Sequence, residues 1–153
     1  ARLLLVGDGP LRKGLELAAG ELGVASAVTF LGMCREVSDA LQAMDVFVFP
    51  SVREGFGVAA LEAQAAGLPC LLSDALPEEV AATGLARFLS LNQSPADWAD
   101  RALAMKNTVP RRDMAREIAD AGFDVKENPK MLESLYLKIY REAAGSSGKA
   151  GSP

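Results

Sequence analysis

The 153-residue sequence contains no histidine and only two cysteines. The lack of histidine excludes Ser-His-Asp triads, HExxH zinc sites and a histidine general base within this chain. Cys34 and Cys70 are too far apart in sequence to form a metal or redox motif, so we expect two reduced thiols, as in a cytoplasmic protein. Any chemistry must therefore use carboxylates, backbone dipoles or a partner domain.

Basic residues are also few, with 16 Lys and Arg against 20 Asp and Glu, and the formal net charge is −4. They are scattered, whereas a nucleic-acid interface would need a basic stripe, so we expect no nucleic-acid partner. No apolar run approaches the roughly 20 residues that cross a bilayer. The opening residues lead straight into LLLVG, which does not resemble a signal peptide. The sequence therefore predicts a cytoplasmic location.

The overall composition is typical of a globular protein, because 50% of the residues are apolar and 24% are charged. The length suits a single domain with a real core, which we place at residues 1–145. Residues 146–153 are small and polar, so we predict a disordered tail there.

Short apolar runs alternate with helical patterns along the chain. Four of the five runs are almost continuously hydrophobic, which is typical of parallel strands covered on both faces. The alternation predicts an α/β fold with a Rossmann-like doubly wound parallel sheet, followed by C-terminal helices. We predict strands at 3–6, 28–31, 46–49, 70–73 and 87–91, helices at 11–22, 36–43, 58–66, 96–105, 112–121 and 130–143, and a short helical piece at 78–82.

The carboxyl ends of the predicted strands are the expected ligand side, because ligands bind there in open α/β sheets. Three of the first four ends carry glycine, in segments 7–10, 32–33 and 50–57. Glycine lets the backbone approach a ligand closely.

Segment 50–57, PSVREGFG, connects a buried strand to the helix predicted at 58–66. Its glycines allow a tight turn that presents the amides of Gly57, Val58 and Ala59 outward. Such unpaired amides, together with the positive end of the helix dipole, bind anions, and phosphate is the obvious candidate.

Glu54 and Glu62 flank that helix start. Glu62 lies off the stripe of Val58, Leu61 and Ala65 that we expect to face the sheet, and its side chain should lean back toward the helix N-terminus. Carboxylates accept hydrogen bonds from vicinal diols, so phosphates between two sugar rings would suit this site, as in a nucleotide diphospho-sugar. The alternative is that Glu62 only faces solvent and Glu54 only favours the helix dipole.

Positions 53–69, REGFGVAALEAQAAGLP, resemble the Glu-x7-Glu motif of the family 4 (group 1) retaining glycosyltransferases of the GT-B fold. LLLVGDGPLRKGLE and the long stretch from VTFLGM to CLLSD resemble the C-terminal, donor-binding domain of that family. LPEEV, FLSLNQSPADWAD and AGFDVKENPKMLESLYLKIY look similar to its members in exopolysaccharide or capsular polysaccharide synthesis.

The resemblance implies a role for each matched position. Glu54 would be catalytic and contact the donor-sugar hydroxyls, while Glu62 would accept the ribose hydroxyls. The remaining donor-binding positions would be Phe56, Gly57 and Val58 at the diphosphate, Gly32 at the nucleobase, and Gly7 and Gly9 in the same cleft. For Asp8, capping of the helix that begins near Pro10 is favoured over ligand contact.

The resemblance also implies partners and missing parts. The donor would be UDP- or GDP-linked, with no metal or other cofactor, and the acceptor would be lipid-linked at the inner face of the membrane. The family's first strand–helix unit, which carries a basic diphosphate clamp, and its N-terminal acceptor domain should precede residue 1. Asp74 lacks the family's following Gly-Gly pair, although Glu78 or Glu79 can fill a family glutamate position. We therefore expect weak donor binding and no turnover by the isolated chain.

Two other functions stay open at this stage: a nucleotide-sugar epimerase of the same architecture, and a non-catalytic nucleotide-binding or assembly domain. The last predicted helix carries an apolar face that would contact the missing domain or cause self-association. Its members are Leu132, Leu135, Tyr136, Ile139 and Tyr140.

Overall fold

A computed structural model describes residues 1–106 and 108–147, with side chains described through residue 143. Its strands are β1 (Leu3–Val6), β2 (Val28–Gly32), β3 (Phe47–Phe49), β4 (Cys70–Ser73) and β5 (Ala86–Leu89). Its α-helices are α1 (Arg12–Glu21), α2 (Val37–Gln42), α3 (Val58–Ala65), α4 (Pro95–Met105), α5 (Ala115–Ile118) and α6 (Asn128–Ser147). Short 3-10 turns cover Ala25–Ala27 and Glu78–Val80.

All strand pairs of the described sheets are parallel, which confirms the predicted α/β class. β1 pairs with β2, and β4 lies between β3 and β5. Cys70 stands opposite Phe47 on one side and Ala86 on the other. Each predicted strand is present within two residues of its predicted ends, and the flanking helices make the arrangement Rossmann-like.

The core surrounds β4, whose four residues are all buried. It is built from α3, the strands β3 to β5 and the 3-10 turn at Glu78–Val80, with Leu41 of α2 and Ile118 of α5 packed against them. Burial on both faces matches the continuous hydrophobic sequence of β4.

β1 was also predicted to be covered on both faces, but it is only partly covered. Leu3 and Val6 at its two ends are 50% and 38% exposed. Within the described residues β1 pairs with β2 alone. Leu17 of α1 and the flanking Leu11 and Leu22 are exposed. The expectation of two covered faces is therefore wrong for β1, since this unit packs outside the main hydrophobic cluster.

The start of α1 also differs from the prediction for Asp8 and Pro10. The helix begins at Arg12 after Leu11, and no side chain caps it. Asp8 instead accepts from the amide of Gly9 and pairs with the guanidinium of Arg12. The Asp8 carboxylate, which we expected to cap the helix, therefore forms an ion pair with Arg12 one helical turn away.

α4 has the strongest local start signal in the chain. Ser94 caps it by accepting from the amide of Asp97, and the Asp97 side chain accepts from the Ser94 backbone, with Pro95 in the first turn. The Ser94 hydroxyl, by its hydrogen bond, lowers the pKa of Asp97. This is a capping box, so local sequence alone defines this boundary.

The helix predicted at 112–121 is wrong in its first three residues, because tertiary contacts hold residues 111–114 in a non-helical path. Arg111 donates to the carbonyl oxygens of Leu41, Gln42, Met44 and Ala66 at distances of 2.8–3.0 Å. The amide of Met114 donates to the Ala65 carbonyl at 2.9 Å. α5 follows as a single turn and continues as a π-helical turn over Ala119–Phe123, where Gly122 has a φ of 93°.

α6 is the last element, and its apolar residues are exposed. Leu132 and Ile139 are each 51% exposed and Tyr140 is 72% exposed. The helix extends two residues into the segment predicted as a tail, because its backbone hydrogen-bonding pattern continues through small residues. Residues 148–153 of that prediction lie outside the described residues. In the part of the chain that the structure describes, every helix is too short or too polar to cross a bilayer.

A thiol reagent at pH 8 is expected to modify Cys34 rapidly and to spare Cys70 in the native protein. Cys70 is 0% exposed, and burial raises the pKa of its thiol to about 12. Only about one Cys70 in ten thousand would be a thiolate at pH 8. Reagent titration should count one thiol per native chain, two after denaturation, and none in native Cys34→Ser. Two fast thiols in the native protein would contradict the burial of Cys70.

Candidate functional site

Two glycines meet where β1 and β2 end, as predicted for the ligand side of the sheet. The amide of Gly7 donates to the carbonyl oxygen of Gly32 at 2.8 Å. Their φ values are 123° and 74°, in the region that favours glycine. Gly9 lies in the following turn, where its carbonyl oxygen accepts from the amide of Arg12 at 3.1 Å. The structure thus brings Gly7 and Gly32 into contact and leaves Gly9 beside them.

Arg12 is a basic residue of this edge that the sequence analysis missed. Its guanidinium lies 3.2 Å from the position a Cβ would occupy on Gly32 and 5.8 Å from the centroid of the Phe30 ring. It is paired with Asp8 at 3.2 Å and Glu16 at 2.9 Å. The hydrogen bond to Glu16 raises the pKa of Arg12. Because two carboxylates flank one cation, this cluster carries no surplus positive charge.

The start of α3 is an uncapped helix N-terminus. Gly57 occupies the cap position with a φ of 94° and a ψ of 47°, and no side chain caps the helix. The first intrahelical bond runs from the amide of Ala60 to the carbonyl oxygen of Gly57 at 2.9 Å. The amides of residues 57–59 precede that bond at the positive end of the helix dipole, where anions bind. Gly57 is buried, Ala59 is half-buried and Val58 is exposed.

Gly57 is required here by space as well as by backbone angle. A Cβ on it would lie 2.7 Å from Cδ2 of Leu76 and 3.5 Å from Cγ2 of Val80. Leu76 and Val80 are 5% and 0% exposed. The segment after β4 therefore packs directly against the first turn of α3.

Glu54 is exposed in the loop between β3 and α3, and serine side chains hold this loop. The hydroxyl of Ser51 donates to Oε1 of Glu54 at 3.0 Å. The buried hydroxyl of Ser73, at the end of β4, donates to the carbonyl oxygen of Ser51 at 2.5 Å. The sheet thereby fixes the loop that presents the carboxylate. Ser51 and Ser73 were missed by the sequence analysis, although the PS dipeptide after the strand was visible.

Glu62 is exposed on α3 and lines a groove between α2 and α3. This cavity has a volume of about 700 Å³ and is also lined by residues 111–113. Gly57 and Val58 do not line either of the two described cavities. The structure therefore places Glu62 on an open face of α3 but does not by itself join it to Glu54 in one pocket.

The two other predicted donor-binding residues, Phe56 and Val58, differ in their surroundings. The Phe56 ring is half-buried, with its centroid 5.3 Å from that of Phe123. Val58 is 61% exposed, so it does not face the sheet as the predicted stripe required. The buried face of α3 consists of Ala60, Leu61, Ala63 and Gln64 instead. The use of the Val58 backbone at the diphosphate stays a prediction.

No histidine is available as a metal ligand, and in residues 1–106 and 108–147 no three Cys, Asp or Glu side chains form a cluster that could hold a metal ion. The polar groups at the predicted site are backbone amides, hydroxyls and carboxylates. That set of groups can bind a polyhydroxylated anion.

Comparison with known proteins identifies a matching family model and several relatives. Residues 1–107 match the family model described as Glycosyl transferases group 1. A protein of Bacillus subtilis (strain 168) that carries the name "Putative glycosyltransferase EpsF" is 39% identical over 138 residues, which is 88% of this chain and 36% of EpsF. An Escherichia coli enzyme, UDP-Gal:alpha-D-GlcNAc-diphosphoundecaprenol alpha-1,3-galactosyltransferase, is 39% identical over 72 residues, 46% of this chain and 19% of the enzyme.

Among solved structures, HepE of Anabaena in complex with UDP and glucose has the same fold. The TM-score is 0.68 at 22% identity, and the match covers 88% of this chain and 40% of HepE. The chain thus spans about two fifths or less of the proteins it matches here. The matched residues include both strand groups and the whole segment from Glu54 to Glu62. This chain belongs to the group 1 glycosyltransferases and has the architecture of the C-terminal domain of a GT-B enzyme.

Proposed function

We propose that this chain is the donor-binding domain of a retaining hexosyltransferase and binds a nucleotide diphospho-sugar at the start of α3. The observation that carries the proposal is the uncapped N-terminus of α3, with exposed Glu54 before it and exposed Glu62 within it. Amides suit the diphosphate, and carboxylates suit the hydroxyls of the two sugar rings. The crystallisation of HepE with UDP and glucose supports a ligand of this type.

In the proposed reaction the sugar is transferred as its bond to the diphosphate breaks and the sugar ring gains positive charge. The amides of residues 57–59 stabilise the departing diphosphate, and no metal ion is required in this proposal. Each well-placed donor of this kind contributes about 3–4 kcal/mol to catalysis. Glu54 orients the sugar by accepting from its hydroxyls, and Ser51 holds Glu54 at 3.0 Å. Gly7, Gly9 and Gly32 line the cleft beside the nucleoside.

We further propose that residues 1–145 form only part of that domain. β1 and β3 each pair on one side only within the described residues, and in doubly wound sheets the first strand of the fold lies between the second and the fourth. A strand–helix unit preceding residue 1 would fit between β1 and β3 and cover the exposed side chains of β1. That unit would bring the basic diphosphate clamp, so the isolated chain should bind donor weakly and should not turn over.

The acceptor side of the reaction belongs to a separate N-terminal domain in this proposal. The chain's similarity to EpsF and to an enzyme that acts on a diphosphoundecaprenol-linked sugar supports a role in exopolysaccharide or other cell-surface polysaccharide synthesis. A lipid-linked acceptor would place the enzyme in the cytoplasm at the inner face of the membrane. The exposed apolar face of α6 would then contact the acceptor domain or a second copy of the chain.

The experiments below use the intact protein, meaning this chain together with the proposed preceding unit and acceptor domain. Replacing Glu62 with glutamine is expected to weaken UDP binding to the intact protein about tenfold or more. A hydrogen bond to a charged group is worth about 1.5–3 kcal/mol, and 1.4 kcal/mol is a factor of ten. Titration calorimetry with UDP and GDP would measure the affinities. Glu133→Gln, on the exposed face of α6, is the matched control and should leave them unchanged.

The same titration, together with an assay for released sugar, decides between this proposal and its alternatives. Lack of saturable binding of both nucleotides by the intact wild-type protein would contradict a nucleotide-sugar donor. Release of free epimerised sugar without an acceptor would indicate an epimerase instead of a transferase.

A further inference from the structure

Gln64 is a polar side chain in the hydrophobic core, on the buried face of α3. It is 0% exposed, yet every hydrogen-bonding position of its amide is used. Its Nε2 donates to the carbonyl oxygens of Ala60 at 3.0 Å and Val80 at 2.8 Å. Its Oε1 accepts from the amide of Thr83 at 3.1 Å and from the Thr83 hydroxyl at 2.9 Å. A buried amide this fully bonded fixes the groups around it in one arrangement.

Apart from Ala60 of α3 itself, the partners of Gln64 belong to the segment after β4, residues 75–83. Val80 lies in the 3-10 turn of this segment, and Thr83 closes the segment just before β5. The Thr83 hydroxyl also accepts from the amide of Leu85 at 3.3 Å. Gln64 therefore connects the helix α3, the 3-10 turn and the entry to β5 through one side chain.

The other end of the same segment contacts the first turn of α3. Leu76 and Val80 occupy the space against Gly57 that a side chain there would need. The segment is thus fastened to α3 twice, by packing at Gly57 and by hydrogen bonds at Gln64, two turns further along the helix. Between these two points lie Glu78 and Glu79, which are exposed.

We propose that Gln64 is a positioning residue for the α3 N-terminal site, whose anion-binding groups are the amides of residues 57–59, because it fixes the segment 75–83 that packs against Gly57 at the start of α3. This inference rests on the proposed function, since it assigns those amides to the diphosphate. Displacement of the segment would move Leu76 relative to the anion site, together with the negative charges of Glu78 and Glu79. Both changes alter diphosphate affinity without removing any group that touches the ligand.

An apolar side chain of similar size cannot replace Gln64 in this role. It would fill the volume, but it would leave the half-buried amide and hydroxyl of Thr83 without their acceptor and the buried carbonyl oxygen of Val80 without its donor. Unsatisfied buried groups are costly, so the segment would move to find water. The expected consequence is local displacement of residues 76–83 and not general loss of packing.

The test combines hydrogen exchange with UDP titration on the intact protein, well below its melting temperature. The variants are Gln64→Met, which keeps the volume, and the matched pair Thr83→Val and Thr83→Ser, of which only Ser keeps the hydroxyl. In Gln64→Met and Thr83→Val we expect faster amide exchange confined to residues 76–83 and about tenfold weaker UDP binding. Thr83→Ser should retain both wild-type values. The Thr83 pair carries the test if Gln64→Met does not fold.

The outcomes separate this inference from the function on which it rests. Wild-type UDP affinity in folded Gln64→Met and Thr83→Val, with lowered melting temperatures, would overturn the positioning role and leave Gln64 as a stability residue. Uniformly faster exchange along the chain would overturn it as well. Absence of UDP binding by the wild-type protein would instead overturn the proposed donor site, and with it any role of Gln64 toward UDP.

Discussion

Gly67→Ala is expected to lower the free energy of unfolding by about 4 kcal/mol or more, which is at the upper end for a single substitution. Gly67 has a φ of 74°, and a Cβ there would lie 2.1 Å from the carbonyl oxygen of Arg112. The clash is with backbone, so no side-chain rotation can relieve it. Residues 111–114 would have to move, and they hold the Arg111 bonds that cover the C-terminal ends of α2 and α3.

Gly23→Ala is the matched control for that prediction. Gly23 has a similar φ of 69°, but nothing lies within 4 Å of the position of its Cβ. Gly23→Ala should therefore lower the free energy of unfolding only by the cost of a left-handed backbone conformation for alanine, about 1–2 kcal/mol. Denaturant unfolding of the wild type and both variants measures the difference. Equal losses of stability in the two variants would show that the Arg112 backbone does not approach position 67 closely.

Replacing Glu54 with glutamine in the intact protein is expected to lower sugar transfer about a hundredfold or more. Glutamine has the shape of glutamate but lacks its charge, so it binds the sugar hydroxyls more weakly and no longer favours a positively charged sugar ring. The loss should fall mainly on kcat, because the carboxylate acts most strongly once charge develops in the transition state. Initial rates over a range of donor concentrations separate kcat from KM.

Two comparisons sharpen the Glu54 prediction. Ser51→Ala removes the hydroxyl that donates to Glu54, so it should lower kcat in the same direction but less. Glu133→Gln removes one negative charge from an exposed position on α6 and should leave the rate unchanged. A wild-type kcat in Glu54→Gln would show that the Glu54 carboxylate has no catalytic role.

Much of the fold could be predicted because its signals are local. β4 is an apolar run that lies buried in the sheet, and α4 begins at a capping box that is visible in SPAD. Glycines at the ends of the first two strands were predicted to lie on one side of the sheet, and Gly7 and Gly32 are hydrogen-bonded there, since strand ends of a parallel pair meet at one edge. The start of α3 at Val58 followed from EGFG before an Ala-rich run.

The residues that escaped prediction act over long distances in the sequence. Arg111 bonds to carbonyl oxygens 45 to 70 positions away, and such a role has no periodic signature. Gln64 reads as a polar residue on an exposed helix face, and only the fold shows that it is buried among Val80 and Thr83. The burial of β1 was overestimated for a related reason, because strand composition does not reveal how many neighbours a strand has in the sheet.

A crystal structure of the intact protein with bound UDP is the most direct test of the central claim, that a diphosphate rests on the first turn of α3. The account predicts phosphate oxygens about 3 Å from backbone amides of residues 57–59, and ribose hydroxyls at the same distance from the carboxylate of Glu62. UDP bound elsewhere, with the amides of residues 57–59 facing only solvent and the Glu62 carboxylate making no contact with the ribose, would contradict it.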